Sequence, residues 1–166
     1  MTTFQHVMEG YRVADEMAAH GASGSTFSDW WSFKMEAFDA VWENIAFVDA
    51  PANGCAIVHS DSAEGIQRLN QEAAKAMARG ERAGLEIPPE RAIRWLTSNA
   101  ARALGIADRV GTLEPGKIAD VVLWNRDPFS VYAPAEKVYI DGALAFDLDD
   151  PARQPVSDFA LGMTEA

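Results

Sequence analysis

Short apolar segments alternate with amphipathic segments over residues 4–104, and this alternation constrains the fold more than any other feature of the chain. Strands are predicted around residues 3–5, within residues 22–29 and at residues 56–58. Each predicted strand is followed by a segment whose apolar residues recur at helical spacing. Such alternation is typical of right-handed βα units on a parallel sheet. We therefore predict an α/β fold for this part of the chain.

Four helices are predicted by the apolar spacing, over residues 9–19, 35–48, 66–77 and 88–104. In the second helix, Met35, Phe38, Val41, Ile45 and Val48 form the apolar face, and the segment PANG at residues 51–54 ends it. In the last helix, which Pro88 and Pro89 open and Gly105 ends, the inward residues are Ile93, Leu96, Ala100 and Leu104. Asp61 or Ser62 is a candidate N-cap of the third helix.

The pattern changes after Gly105. The segment EPGK at residues 114–117 predicts a type II turn, and residues 119–124 read as a strand. Asp141 and Gly142 lie between two apolar segments and predict a β-hairpin. We predict three parts: residues 1–105, a small antiparallel β unit over residues 106–148, and a tail over residues 149–166 that is extended or loosely docked.

Composition excludes several classes of protein. The chain has 166 residues, 48% of them hydrophobic, and a formal net charge of −11, which argues against nucleic-acid or anionic-membrane partners. Its single cysteine, Cys55, excludes an intrachain disulfide and a cysteine-rich zinc cluster, and a buried core position is expected for it. No segment approaches the roughly 20 apolar residues of a membrane span, and residues 1–10 do not resemble a signal peptide. As written, the chain is expected to be soluble and cytoplasmic.

Three polar side chains follow predicted strands, and they are the candidates for chemistry. His6 follows the first strand, and His59 and Asp61 follow the third. In parallel α/β folds, functional sites form at the carboxyl ends of the strands. Histidine and aspartate are ligands for zinc or a similar divalent metal, although helix capping or ordinary hydrogen bonding explains the same residues. His20 lies in the last turn of the first helix, where a structural role is expected.

Five segments of the chain together resemble the C-terminal part of the metal-dependent amidohydrolases, in the branch of imidazolonepropionase-like and prolidase-like enzymes. They lie at residues 5–11, 25–31, 59–62, 97–105 and 110–122. The most specific are the helix segment Asn-x-Ala-x-x-Leu-Gly, which starts at Asn99, and the segment GTLEPGKIADVV at residues 111–122. The resemblance implies hydrolysis of a carbon–nitrogen bond in an amide, cyclic amide or dipeptide.

The resemblance also implies a fold and roles for particular residues. Residues 1–61 would hold strands six, seven and eight of a (β/α)8 TIM barrel, and residues 106–147 part of a small β-sandwich. His6 matches the metal-binding histidine of strand six. Asp61 matches the strand-eight aspartate, which contacts the metal and serves as general base and then general acid. Zinc is the expected metal.

Several parts of the family pattern have no counterpart in this chain. The His-x-His pair of strand one is absent, because His6, His20 and His59 are never two residues apart. The residues that bind metal on strands four and five would precede Met1. A complete barrel typically needs about 200 residues or more, and only about 104 precede the β unit. With ligands from His6, Asp61 and at most His59, we expect weak or no metal binding and little or no hydrolysis by the isolated chain.

An incomplete barrel leaves an apolar sheet face and an unpaired edge strand. We therefore expect either a homo-oligomer or a partner that supplies the missing N-terminal part. A non-catalytic assembly unit is the alternative to an enzyme, and a small stand-alone binding domain with an accidental resemblance is a third possibility. His59, Ser60 and Trp30 are predicted as weak substrate contacts, with Trp31 and Asp29 beside them; burial under a loop is the alternative for the tryptophans.

Overall fold

The computed structural model describes residues 1–155. Its strands are β1 Thr3–Gln5, β2 Ser23–Thr26, β3 Ala56–Val58, β4 Val121–Trp124, β5 Ala135–Ile140 and β6 Ala143–Asp147. Its α-helices are α1 Ala14–Ala19, α2 Asn44–Asp49, α3 Leu69–Arg82, α4 Pro89–Ala92 and α5 Ser98–Ala103. Short 3-10 helices lie at Gly10–Arg12, Met35–Ala37, Gly65–Arg68, Ile93–Leu96 and Pro151–Arg153.

The first three strands form a parallel sheet in the order β1-β2-β3. Phe4 pairs with Gly24, and Gly24 pairs with Ala56, so the three strands run in register. The predicted α/β arrangement with a parallel sheet is therefore confirmed. All three strands end at the same edge of the sheet, and the segments that follow them lie side by side.

The core is formed by residues of α2, α3 and the 3-10 helix Ile93–Leu96, which pack together. Ile45, Ala46, Ala73 and Trp95 are almost completely inaccessible to solvent. The packing of α3 on α2 depends on Gly80, because a Cβ atom at this position would lie 2.5 Å from Ala46 Cβ. Close helix packing of this kind gives the short strands a rigid support.

The prediction of the second helix, over residues 35–48, is wrong for its first half. Residues 38–43 are not helical, and the helical part before them is only the 3-10 turn Met35–Ala37. Met35 and Phe38 are 85% and 66% exposed, whereas Ile45 and Val48 are buried. Only α2 therefore packs on the core, and helices depend on such packing for most of their stability.

The last predicted helix is interrupted. Thr97 adopts φ −129° and ψ −94° between the 3-10 helix Ile93–Leu96 and α5, and its hydroxyl donates to the carbonyl oxygen of Ile93. A threonine hydroxyl that bonds to the backbone four residues earlier in this way can bend or interrupt a helix. Leu104, which was predicted to point inward, is 73% exposed, because the helix ends at Ala103 just before it.

The remaining strands form an antiparallel sheet in the order β4-β5-β6, as predicted. Asp141 and Gly142 both have positive φ angles, 51° and 76°, which a tight hairpin turn requires. This sheet is tied to the first part of the chain by the loop between β4 and β5. There Phe129 is buried against the core, and the side chain of Asn70 donates to the carbonyl oxygen of Pro128.

The predicted division of the chain at residues 105 and 148 stays a prediction. Of the predicted tail, residues 149–155 contain the 3-10 helix Pro151–Arg153, and the rest lies outside the described residues. Within residues 1–155, no helix has both the length and the apolar character needed to cross a membrane.

Candidate metal centre

Two strand ends bring together His6, His59 and Asp61. His6 directly follows β1 and has a positive φ of 55°, so the chain turns sharply at this residue. His59 directly follows β3, and its backbone N–H donates to the carbonyl oxygen of Thr26 at the end of β2. The three candidate ligand residues therefore meet at the carboxyl edge of the parallel sheet, where the sequence predicted a site.

The three side chains approach one another closely. His6 Nδ1 lies 3.0 Å from His59 Nε2, and His6 Nε2 lies 3.8 Å from Asp61 Oδ1. One ligand atom from each of the three residues can be chosen so that all lie within 4.8 Å of one another. The side chains of His6 and Asp61 are 46% and 55% exposed, so the cluster opens to solvent.

His59 is held by side chains from the other two strands of the parallel sheet. Its Nδ1 atom lies 2.5 Å from Ser25 Oγ and 3.4 Å from the side-chain amide of Gln5. Burial, together with the neighbouring His6, lowers the pKa of His59 from 6.5 to about 4, whereas Asp61 acts in the opposite direction. His59 is therefore neutral at pH 7. In the tautomer whose Nδ1–H donates to Ser25, Nε2 keeps its lone pair.

The donor set fits a divalent metal such as zinc. Zinc–ligand bonds are about 2.0–2.2 Å long, so two ligand atoms of a tetrahedral ion lie about 3.3 Å apart. The separations of 3.0 Å and 3.8 Å lie near that value but involve different nitrogens of His6, Nδ1 toward His59 and Nε2 toward Asp61. With one ligand atom from each residue, the three atoms lie within 4.8 Å of one another. A neutral imidazole and a carboxylate are suitable ligands, and the Ser25 contact is the kind of second hydrogen bond that orients a ligating histidine. Three protein ligands are the number that a catalytic zinc usually has.

Asp61 does not cap the helix that follows it. The hydroxyl of Ser62 instead accepts hydrogen bonds from the backbone N–H groups of Glu64 and Gly65, at 3.2 and 3.0 Å. Both predicted caps are therefore wrong, because the N-caps of the 3-10 helix Gly65–Arg68 and of α3 are Glu64 and Arg68. Ser62 instead stabilises the turn that leads into the 3-10 helix. Within the described residues, the carboxylate of Asp61 faces His6 at 3.8 Å, so it belongs to the cluster.

The predicted substrate contacts differ in position. Trp30 lies beside the cluster, because Phe27 stacks both on Trp30, at 4.8 Å, and on His6, at 5.3 Å. The hydroxyl of Ser60 exchanges hydrogen bonds with the backbone of Ser62, so it serves the turn. A contact of His59, Ser60 or Trp30 with substrate stays a prediction.

Trp31 and Asp29 point to other partners. Trp31 packs edge-on against Trp42, at 4.5 Å between ring centroids, and Asp29 forms an ion pair with Lys75. His20 is exposed at the end of α1, where its backbone N–H donates to Glu16, and it does not belong to the metal cluster. These three residues therefore lie outside the cluster.

Sequence reasoning missed Ser25, Gln5 and Phe27. Gln5 and Ser25 occupy the same rung of the sheet, paired with each other, and Ser25 pairs in turn with Ile57. The available signal was the serine itself, because a serine in a buried strand needs a hydrogen-bond partner. Phe27 carried no such signal, because an aromatic residue after a strand is usually a core residue.

The chain belongs to the amidohydrolase family, since the model of that family matches residues 45–154. The imidazolonepropionase of Shewanella pealeana is 45% identical over 58 residues, which are 35% of this chain and 13% of that protein. The resemblance inferred from the sequence motifs is thus confirmed. The chain matches only a small part of the length of these relatives.

Solved structures agree with this assignment. An amidohydrolase from Thermotoga maritima superposes with a TM-score of 0.71 and 30% identity, over 87% of this chain and 37% of that one. An adenosine deaminase from Xanthomonas campestris with bound zinc superposes with a TM-score of 0.67 and 19% identity, over 87% and 37% of the two chains. At the lower identity only the fold is comparable. The described residues thus have the fold of part of a larger amidohydrolase.

Proposed function

We propose that this chain carries part of the active site of a metal-dependent hydrolase that cleaves carbon–nitrogen bonds. The observation that supports this function is the convergence of His6, His59 and Asp61 within 4.8 Å at the carboxyl edge of a parallel sheet. Family membership supplies the reaction class, and the relatives named as imidazolonepropionases favour a cyclic amide over a dipeptide.

The roles of the residues follow from their positions. A divalent metal, when bound, supplies Lewis acidity that polarises a carbonyl group and acidifies water. His6 and Asp61 would hold the metal, with His59 as the third ligand or as a neutral hydrogen-bonding group toward the substrate. The carboxylate of Asp61 takes a proton from the attacking water and delivers it to the leaving nitrogen. Because the carboxylate of Asp61 is exposed, the attacking water and the substrate can both reach it.

We further propose that the parallel sheet is three consecutive strands of a (β/α)8 barrel and that other polypeptide completes it. In this proposal, β1, β2 and β3 would be the sixth to eighth strands of such a barrel. Three βα units cannot close into a barrel on their own. The missing strands would bring further metal ligands and most of the substrate-binding loops, so the isolated chain is expected to be a poor catalyst.

Metal binding tests the site without relying on activity. The 166-residue chain is treated with a chelator and titrated with Zn²⁺ by calorimetry and with Co²⁺ by absorption spectroscopy. We expect one weak site, and we expect His6→Ala or Asp61→Ala to weaken it by about tenfold or more. His20→Ala is the matched control and should bind like the parent chain. Equal binding by His6→Ala and His20→Ala would contradict the ligand assignment.

Activity is tested by complementation. The chain is expressed with and without a segment that carries the His-x-His part of a related amidohydrolase, and imidazolone, N-acyl amino acid and dipeptide hydrolysis are measured. We expect turnover only in the complemented protein, with loss of about 100-fold or more in Asp61→Asn, because a general base contributes at least this much. Asp15→Asn, at an exposed carboxylate of α1, is the control. Turnover that survives Asp61→Asn refutes the proton-transfer role.

A non-catalytic assembly unit is the second candidate, and the surface beside β1 favours it. β1 pairs on one side with β2 and has no other strand partner within residues 1–155. Phe4, at its centre, is 49% exposed, and a cavity of about 500 Å³ adjoins it. The cavity is lined by Thr2, Phe4, Val7, Val13, Glu16, Met17, His20 and Ala22. An edge strand with an exposed phenylalanine beside such a cavity is prone to association.

The oligomeric state separates this candidate from a purely catalytic role. Sedimentation over a range of concentrations should show association of the parent chain, and Phe4→Lys should weaken it, because a charge on an edge strand opposes pairing. Phe38→Lys, at an exposed phenylalanine outside the parallel sheet, is the control. A clean 18.0 kDa monomer at high concentration argues against the assembly unit.

A further inference from the structure

A cavity of about 230 Å³ lies between the segment that follows β2 and helix α3. It is lined by Ser28, Asp29, Trp31, Trp42, Lys75, Ala78, Arg79 and Arg82. None of the metal-cluster residues His6, His59 and Asp61 lines it. We call it the α3 cavity. Its volume is below the range of about 300–1,000 Å³ typical of pockets for drug-sized ligands, so a single-ring molecule is the appropriate size.

The α3 cavity is basic, in a chain with 25 acidic and 14 basic residues. Lys75 is already engaged, because its ammonium group contacts both Asp29 and Glu72, at 2.6 and 2.7 Å. Arg79 and Arg82 differ from it. Within residues 1–155 neither guanidinium group has a carboxylate within 4.0 Å. Two cations without acidic partners therefore face a concave surface of an otherwise acidic protein.

Arg79 is fixed by an aromatic contact. Its Cζ atom lies 3.3 Å from the centroid of the Trp42 ring, which is a close cation–π contact. A guanidinium group stacked on a ring keeps its N–H donors in its own plane, where they remain available for a carboxylate. The side chain loses little conformational entropy when a ligand binds, since the stack has already ordered it.

A second tryptophan completes an aromatic corner. Trp31 meets Trp42 at 4.5 Å between centroids and an angle of 67° between ring planes. Trp31 remains 39% exposed, so an aromatic face is accessible beside the arginines. A flat ring can lie against one indole and meet the edge of the other, which are the favoured geometries for aromatic pairs.

We propose that the α3 cavity binds a small planar aromatic carboxylate. Its carboxylate pairs with Arg79 and Arg82, because the fork of a guanidinium group matches the two carboxylate oxygens. Its ring lies against Trp31 and Trp42. This site is independent of the proposed hydrolytic function, since it shares no lining residue with the metal cluster.

Benzoate is the probe for the full 166-residue chain. Titration is followed by calorimetry and by the indole N–H signals in NMR spectra, which are assigned with Trp31→Phe and Trp42→Phe. We expect saturable binding that shifts the signals of these two tryptophans. Arg79→Gln should weaken binding by about tenfold or more, since it removes a charged hydrogen-bond partner. Arg79→Lys should also weaken binding, because lysine keeps the charge but lacks the fork.

Arg94→Gln is the control, because Arg94 is exposed and does not line the cavity. Its affinity for benzoate should equal that of the parent chain. Cyclohexanecarboxylate should bind more weakly than benzoate, and inorganic phosphate should not compete efficiently, since neither offers a flat ring. Absence of saturable binding, unchanged affinity in both Arg79 variants, or phosphate binding as strong as that of benzoate overturns the proposal.

Discussion

The side-chain amide of Asn99 donates a hydrogen bond of 2.9 Å to the backbone carbonyl oxygen of Ala56. Ala56 is fully buried at the start of β3, the strand that ends just before His59. Asn99 belongs to α5 and begins the Asn-x-Ala-x-x-Leu-Gly segment. One of the two most specific motifs of the sequence therefore supports the strand that precedes two of the candidate metal ligands.

Asn99→Ala is expected to lower the free energy of unfolding by about 1–3 kcal/mol, because it leaves a buried carbonyl oxygen without its partner. Chemical denaturation followed by circular dichroism measures this loss. Asn53→Ala, at an exposed residue of the turn before β3, should change stability by less than about 0.5 kcal/mol. Equal losses in the two variants would show that the Asn99 bond does not stabilise the fold.

Gly80→Ala is expected to destabilise the protein although alanine favours helices by about 1 kcal/mol over glycine. The new Cβ atom would lie 2.3 Å from Ile87 Cδ1 and 2.5 Å from Ala46 Cβ. Overpacking of this kind costs about 1–3 kcal/mol. Thermal unfolding provides the measurement, and Ala78→Gly, on the exposed side of α3, should show the ordinary propensity loss. A rise in melting temperature for Gly80→Ala contradicts the observed helix contact.

The stability of the metal-free protein should fall as the pH is lowered from about 6.5 toward 4. Burial lowers the pKa of His59 to about 4, so between these values the unfolded chain binds a proton that the folded chain does not. The loss is expected to be about 1 kcal/mol, because the partly exposed site is screened by solvent. NMR titration gives the pKa directly. The slope should be clearly smaller in His59→Gln and persist in His20→Gln.

Substitutions of Asp61 and of Ser62 should have clearly different effects on the stability of the protein. Ser62→Ala is expected to cost about 1 kcal/mol, since it removes the acceptor for the N–H groups of Glu64 and Gly65. Asp61→Asn should leave stability within about 0.5 kcal/mol of the parent value, because its carboxylate is more than half exposed. Denaturation experiments on both variants make the comparison. A larger loss of stability in Asp61→Asn than in Ser62→Ala would contradict the role of Ser62 in this turn.

Much of the fold was predictable from local patterns. The strand at residues 56–58 and the hairpin turn at Asp141 and Gly142 follow from apolar continuity and from the residues that tolerate positive φ angles. The helix predicted over residues 35–48 failed because apolar spacing does not reveal whether a face finds a partner. Phe38 has the right spacing but remains exposed.

The candidate site was predictable only in part. His6, His59 and Asp61 were identified because each follows a strand, and parallel strands end at a common edge. The contact of Ser25 with His59 depends on the register between β2 and β3, which the sequence does not specify for such short strands. The exposed carboxylate of Asp61 was ambiguous until the hydroxyl of Ser62 was found to accept the N–H bonds of the turn.

The division of tasks between Asp61 and Ser62 has a consequence for anyone who screens variants of this chain. Expression yield and melting temperature should change when Ser62 is substituted and hardly change when Asp61 is substituted. A collection of well-folded variants will therefore include many with substitutions in the candidate metal centre. Good folding carries no information about position 61, so the proposed role of Asp61 has to be tested by metal affinity or turnover.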